Sequence, residues 1–273
     1  MSRSDIEQLA AARRALAETV AQLEEERAAR ARAERTSAMK DEWLARVAHQ
    51  LRNPLGVILG WAHLLRRRPA QEELDKGLDI IEQSVQVQAR LIDELLDASR
   101  LASGQLRLDL QPIEPRSLID AAVEAIGPAA QAREIGIRKV LDLTVRPVLG
   151  DATRLEQVLA QLLSNAVKFT PAKGSIEVAL RSADRMAEIS VSDTGSGIAP
   201  GLLPHVFERC RPDGDAAARR KGGLGLGLAI ARQLAELHGG QLRAESQGEG
   251  RGATFVLRLP YAAGAGQLSP AER

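Results

Sequence analysis

From Ile6 to Leu95 apolar residues recur at steps of three and four, and this spacing constrains the fold more than any other feature of the chain. Leu44, Ala48, Leu51, Leu55, Ile58, Ala62 and Leu65 form one stripe. Leu74, Leu78, Ile81, Val85, Ile92 and Leu95 form a second, widened by Ile80, Val87 and Leu91. The stretch RRRPAQEE between them supplies a turn. The spacing therefore predicts two helices of roughly 25–30 residues folded as an antiparallel hairpin. A lone hairpin cannot bury stripes this wide, but two copies can, as a four-helix bundle. Upstream, Ile6, Leu9, Leu16, Val20 and Leu23 fall at alternating a and d heptad positions, with Arg13 at one a position, and residues 5–35 hold neither Gly nor Pro. This predicts a coiled coil and with it a homodimer, the alternative being a solvated single helix or a frayed arm.

After ASGQLRLDLQPIEP the period changes. Strand-like alternation in QLRLDL, SIEVAL, AEISVSD and ATFVLRL is interleaved with helical segments near 116–132, 151–168 and 225–238. A mixed sheet covered on one face by helices is the expected result. The fold class is thus α plus α/β: an N-terminal coiled coil and helical hairpin forming a dimeric four-helix bundle, then an α/β sandwich. The expected boundaries are a coiled coil over 1–36, the hairpin over 37–102, a linker over 103–112, the α/β domain over 113–262, and a disordered tail over 263–273.

Composition narrows the function. A formal net charge of +1 provides no field for nucleic acid or an anionic membrane. Two Trp, one Tyr and three Phe are too few for a base-stacking surface. A single cysteine, Cys210, rules out an internal disulfide or a cysteine-rich metal site. The longest apolar run, near Leu55 to Leu65, is too short to span a bilayer, and no signal peptide opens the chain, so a cytoplasmic protein is expected.

Three constellations in the second half suit nucleotide chemistry. LLSNAVKFTP puts Asn165 and Lys168 on one helix face, with Gln161 one turn earlier. An amide oxygen can ligate Mg²⁺ and an ammonium can meet a phosphate, although surface helices often carry such pairs. In VSDTGSGI, Asp193 ends a strand, where its carboxylate can accept from an exocyclic amine. Gly195 and Gly197 then allow close backbone approach, or simply a tight turn. In KGGLGLGLAIARQLAELHGG, Gly222, Gly223, Gly225 and Gly227 alternate with leucines into an amphipathic helix, whose entrance offers N–H groups to phosphate. A linker would be Gly/Ser-rich and would not carry apolar residues into a helix. His238, before Gly239 and Gly240, reads as a structural helix-end residue. The long charged segment between the glycine clusters, with Arg219, Arg220 and Lys221, has the length of a lid.

The ordered series HQLRNPL, NAVKFTP, DTGSGI, VFER and GGLGLGL, over roughly residues 37–261, resembles the sensor histidine kinases of two-component systems. The resemblance implies a dimerisation and phosphotransfer hairpin followed by a Bergerat-type ATP-binding domain. It implies ATP and Mg²⁺ as cofactors, with Asn165 as metal ligand, Lys168 on phosphate and Asp193 recognising adenine. Residues 199–224 would form the ATP lid, packed by Phe207. Gly252, Thr254 and Phe255 resemble the domain's last glycine-containing motif. The implied partners are a second copy of the chain, a response-regulator receiver domain carrying an aspartate, and an upstream sensor.

The same resemblance makes His49 the phosphoacceptor, with Gln50 and Asn53 completing the catalytic set. Asn53, four residues on and on the same face, would orient water for dephosphorylating the partner. His49 lies about 100° off the seam residue Ala48 and faces solvent. Pro54 removes a helical N–H, which produces either a kink or a restart with Asn53 as N-cap. The heptad phase is kept across it, which favours the kink. Three positions depart from the family pattern. Gln50 stands where a carboxylate is usual; an amide oxygen can hold the imidazole tautomer but cannot take its proton, so slow autophosphorylation is expected. Gln161 replaces an asparagine, which lengthens the reach, and Cys210 replaces an aromatic in the lid. Two other functions compete. A hydrolysing ATPase of the same superfamily needs a glutamate where Gln161 stands. An ATP-binding dimeric scaffold or pseudokinase gating a partner is compatible with Gln50.

Overall fold

The computed structural model of the protein describes residues 47–66, 70–208 and 224–262, with isolated positions between 22 and 45. Residues 1–49 and 50–273 form two compact units. In the first, every described residue is helical, and Arg30 pairs with Glu34 at 2.8 Å. Both partners are exposed, so the pair adds only about 0.3–0.5 kcal/mol to the helix. The heptad positions Ile6 to Leu23 lie outside the described residues, as do the segment 209–223 and the tail 263–273.

The second unit begins in helix α1 (50–65), followed by α2 (Gln71–Ala102). All of residues 47–65 are helical, Pro54 included, so no restart occurs at Asn53. The face of α1 turned inward runs through Pro54, Ile58, Trp61 and Leu65; on α2 it runs through Leu74, Gly77, Ile81, Ser84, Gln88, Leu91, Leu95 and Ala98. The two helices close at Gly77, where a side chain would strike the Trp61 ring at 2.8 Å and Leu65 Cδ2 at 2.9 Å. This corrects the expected seam on α1. Leu55 and Ala62 point outward, and on α2 so do Leu78, Val85 and Ile92. The apolar spacing belongs to two adjoining faces, one closing the hairpin and one left open, and a single heptad reading merges them.

The α/β part contains α3 (Pro115–Gln131), α4 (Ala152–Phe169) and α5 (Gly227–Leu237). Its strands are β1 (Gln111–Ile113), β2 (Gly136–Leu141), β3 (Val148–Gly150), β4 (Ser175–Ala183), β5 (Met186–Asp193), β6 (Gln241–Glu245) and β7 (Ala253–Pro260). A five-stranded sheet has the order β2-β4-β5-β7-β6; β2 and β4 run parallel and the other neighbours antiparallel. β1 and β3 form a separate antiparallel pair. Ile176, Val178 and Leu180 of β4, Ala187, Ile189 and Val191 of β5, and Phe255, Leu257 and Leu259 of β7 are buried at every second position. That alternation defines one helix-covered face. Leu155, Val158, Leu159, Leu162 and Leu163 of α4 and Ile230, Ala231 and Leu234 of α5 fill the space above it.

QLRLDL is not a strand. Leu106 and Leu108 are half-buried with no ladder partner, so the alternation there records a chain lying on a surface. β2 and β6 were not legible as strands, and both are sheet edges. Arg138, Lys139 and Val140 of β2 are exposed in succession, which blurs the period of two.

Candidate functional site

Helix α4 carries most of the candidate site. Asp151 caps its start, accepting from Arg154 N at 3.2 Å. At its other end Arg133 donates to the carbonyl oxygens of Val167 and, at 3.0 Å, Thr170. With its leucine face on the sheet, the opposite face presents a polar stripe: Arg154, Gln157, Gln161, Asn165 and Lys168. The predicted Asn165 and Lys168 lie in the last turns of this stripe and are half-buried.

The end of β5 meets the end of α4 backbone to backbone. Ser196 N donates to Phe169 O at 3.2 Å, and a side chain on Gly195 would lie 2.7 Å from the same oxygen. Asp193 stands at this junction and accepts at Oδ1 from Gly195 N at 2.8 Å. Burial raises its carboxyl above the usual aspartate value, against the pull of backbone N–H groups of Gly195 and Ala253. The loop after Asp193 interlocks with residues 248–252. Gly252 N donates to Gly195 O at 3.1 Å and Gly250 N to Ser196 O at 2.7 Å. Ser246 Oγ accepts from Ile198 N at 3.0 Å and donates to Gly252 O at 2.7 Å. Gly197 (φ +67°) and Gly252 (φ +70°) leave no room for a side chain, which would come within 2.0 Å of Gly248 O and 1.9 Å of Asp193 O. The close approaches seen at Gly195 and Gly197 are thus to the protein's own backbone.

Gly227 opens α5 against α4: a side chain there would fall 2.2 Å from Gln161 Oε1. Gly225 is left-handed at φ +68°, and among the described residues, its chain neighbours aside, no atom lies within 4 Å of where its side chain would be. Gly223 lies outside the described residues, together with Gly222, Cys210, Arg219, Arg220 and Lys221. Phe207 packs edge-on against Phe255 at 6.3 Å, under the Arg232 guanidinium at 5.6 Å. Thr254 does not converge on Asp193. Its hydroxyl hydrogen-bonds that of Ser192 at 2.9 Å, and the register Asp193↔Ala253 puts Asp193 on the other face. His238 is structural: Nδ1–H donates to Leu234 O at 2.7 Å, and Nε2 accepts from Asp151 N at 3.0 Å. In the helical stretch, His49 and Asn53 are exposed and Gln50 is half-buried.

The sequence reading missed a polar cluster joining α2 to α4. Both Asp97 oxygens accept from Arg154 Nη1, at 3.0 and 2.9 Å, and Gln157 Nε2 donates to Oδ2 at 2.7 Å. Gln161 Nε2 donates to Glu94 Oε1 at 3.1 Å. Burial raises the Glu94 carboxyl above its ordinary value, opposed by the Gln161 hydrogen bond and the charges of Arg90 and Lys168. One signal was available: Glu94 and Asp97 sit among Leu91, Leu95 and Ala98, where α2 is otherwise turned inward.

Among the described residues no helix is long and apolar enough to cross a membrane. The family description "His Kinase A (phospho-acceptor) domain" matches residues 39–104. "Histidine kinase-, DNA gyrase B-, and HSP90-like ATPase" matches residues 150–263. The sensor protein GacS of Pseudomonas syringae pv. syringae is 35% identical over 86% of this chain and 26% of its own length. The sensor protein TorS of Escherichia coli is 35% identical over the same shares, 86% and 26%. The chain therefore spans about a quarter of these relatives. The crystal structure of full-length ShkA in complex with AMPPNP aligns with a TM-score of 0.61 and 30% identity, covering 82% of this chain and 46% of that one. Acinetobacter baumannii AdeS, 22% identical with a TM-score of 0.59, shares the fold over 78% of this chain and 97% of its own. A phosphoacceptor domain followed by an ATPase domain, in one helical hairpin and one mixed α/β sheet, places the chain in the sensor histidine kinase family of two-component systems.

Proposed function

We propose that the chain phosphorylates itself on His49 with ATP and passes the phosphoryl group to an aspartate of a response-regulator receiver domain. The observation carrying this reading is the meeting of three elements at one edge of the α/β domain: the Gln161–Asn165–Lys168 end of α4, Asp193 at the end of β5, and the glycine entrance of α5. Asp193 would accept from the adenine amine, and Lys168 would neutralise phosphate charge. The open, left-handed backbone at Gly225 and the start of α5 suit the phosphates. Among the described residues no group of three or more His, Cys, Asp or Glu side chains is set to hold a metal ion. Asn165 with phosphate oxygens is the donor set that Mg²⁺ accepts, and the bound ion would supply charge neutralisation on the transferring group.

In the reaction a neutral ring nitrogen of His49 attacks the γ-phosphorus. The bond from that phosphorus to the β-phosphate oxygen breaks, ADP leaves, and the proton on the other ring nitrogen must be held or removed. Gln50 can hold that proton by accepting a hydrogen bond but cannot take it. Gln50→Glu is therefore expected to raise the single-turnover rate, up to the ~10²–10⁴-fold typical of a general base. An unchanged rate would refute the handicap. In the second step an aspartate oxygen of the receiver displaces the imidazole, and Asn53 orients water to hydrolyse the resulting aspartyl phosphate, which releases inorganic phosphate and regenerates the aspartate.

The exposed Leu55, Leu59, Leu78, Val85, Ile92 and Leu96 support a homodimer, since a second copy of the hairpin would cover them. The same reading takes residues 1–36 as a coiled-coil relay from an upstream sensor, 37–102 as the phosphotransfer hairpin and 113–262 as the ATP-binding domain, in a cytoplasmic protein. Gln50 favours one second reading, an ATP-binding scaffold that gates a partner. Labelled ATP separates the two. An acid-labile, base-stable label lost in His49→Ala supports the kinase; nucleotide binding without label supports the scaffold.

A further inference from the structure

We propose that Glu94 and Asp97 form a latch that docks the ATP-binding domain on α2, and that nucleotide competes with this latch for Gln161. The inference rests on the nucleotide site proposed above and adds a regulatory contact to it.

The polar stripe of α4 serves two surfaces. Its first three members, Arg154, Gln157 and Gln161, are all engaged by carboxylates of α2. Its last three, Gln161, Asn165 and Lys168, are the candidate nucleotide contacts. Gln161 belongs to both sets. Its Nε2 is committed to Glu94 at 3.1 Å, while its Oε1 fills the space left by the missing side chain of Gly227 at the glycine entrance. Glutamine stands where the family pattern has asparagine, and its extra methylene gives the reach to α2.

Asp97 is the anchor of the latch. It is 6% exposed, and the hydrogen bonds its carboxylate accepts among the described residues come from α4. A carboxylate this buried is tolerable only while its donors stay in place, so docking is all or none at this point. Glu94 is the sensor. Lys168 and Arg90 attract its carboxylate, and a triphosphate arriving at Lys168 brings like charge beside it. Nucleotide therefore repels Glu94 and draws Gln161 and Lys168 to itself. The loss of that hydrogen bond leaves, of the polar contacts described between α2 and α4, those of Asp97, and the weakened docking lets the domain leave α2 to approach a histidine.

Coupling of this kind is reciprocal: the factor by which nucleotide loosens docking equals the factor by which loosening tightens nucleotide. One charge-assisted hydrogen bond corresponds to roughly a tenfold change or more in the docking equilibrium. The test uses the full chain with Cys210→Ser and spin labels at exposed Gln86 on α2 and Glu124 on α3, diluted into excess unlabelled protein. Without nucleotide, one narrow distance distribution is expected. Adding the non-hydrolysable analogue AMPPNP with Mg²⁺ should broaden it. Glu94→Gln and Asp97→Asn should each broaden it without nucleotide and tighten analogue binding, by about tenfold for Asp97→Asn. The reversed pair Asp97→Arg with Arg154→Asp should restore the narrow distribution. Unchanged distances and affinity in both single variants would overturn the latch, as would failure of the reversed pair to restore docking. Absence of analogue binding in the unsubstituted protein would instead sink the nucleotide site itself.

Discussion

Gly252 and Gly250 have nearly the same backbone, at φ +70° and +73°, but different surroundings. An alanine at either position pays for the left-handed conformation, roughly 1–2 kcal/mol. At Gly250 no atom of the described residues, its chain neighbours aside, lies within 4 Å of the new methyl, so that strain is the main cost. At Gly252 the methyl would sit 1.9 Å from Asp193 O, about 1.5 Å short of van der Waals contact. The neighbour is backbone at the end of the sheet's middle strand, held by its pairing with Ala253, and cannot rotate away. Relieving the clash adds an overpacking cost of about 1–3 kcal/mol and shifts the end of β5, which carries Asp193. Gly252→Ala is therefore expected to lose ~2–5 kcal/mol, a fall in Tm of about 5–15 °C for a domain of this size. It should also lose nucleotide affinity, while Gly250→Ala loses only the strain and binds normally. Paired thermal melts and titrations with a fluorescent ATP analogue measure both. Equal melts and equal affinities in the two variants would refute the argument that this contact positions Asp193.

Three further outcomes follow from named contacts. Arg133→Ala removes two charge-assisted hydrogen bonds from the end of α4; a loss of about 1.5–3 kcal/mol is expected in urea denaturation, with weaker nucleotide binding because Lys168 lies in that turn. His238→Phe leaves the N–H of Asp151 without its acceptor and should cost about 1–3 kcal/mol by the same measurement. The Asp193 carboxyl is raised by burial, so its favourable contribution to stability is fully present below the ordinary aspartate pKa and is lost as pH rises through the raised value. Asp193→Asn should therefore melt no lower than the parent at neutral pH while abolishing nucleotide binding. In the parent, affinity should fall on acidification at a pH above that of an ordinary aspartate.

Much of the architecture was legible because burial leaves a period in the sequence. The three helices over the sheet and the strands β4, β5 and β7 were read close to their observed bounds, since each has one face in the core. β2, β3 and β6 were not, because edge and very short strands bury too little to leave a pattern. Of the site, Asn165, Lys168 and Asp193 were readable as residue types at spacings that suit nucleotide. The neighbours of Thr254 and of the glycines were not, because strand parity and backbone packing set them.

The sequence determined by itself that a histidine-bearing hairpin precedes an α/β domain with a glycine-opened helix, because helix period and glycine spacing are local properties of a chain; that this domain takes a nucleotide was implied by the family resemblance of its motifs. Only the tertiary structure decided which face of α1 closes the hairpin and which stays open, since two adjoining apolar faces share one period. Only the fold, too, could join Asp97 to Arg154 across 57 residues of sequence. Ion pairs between separate elements depend on how the elements dock, and no spacing along the chain encodes that distance.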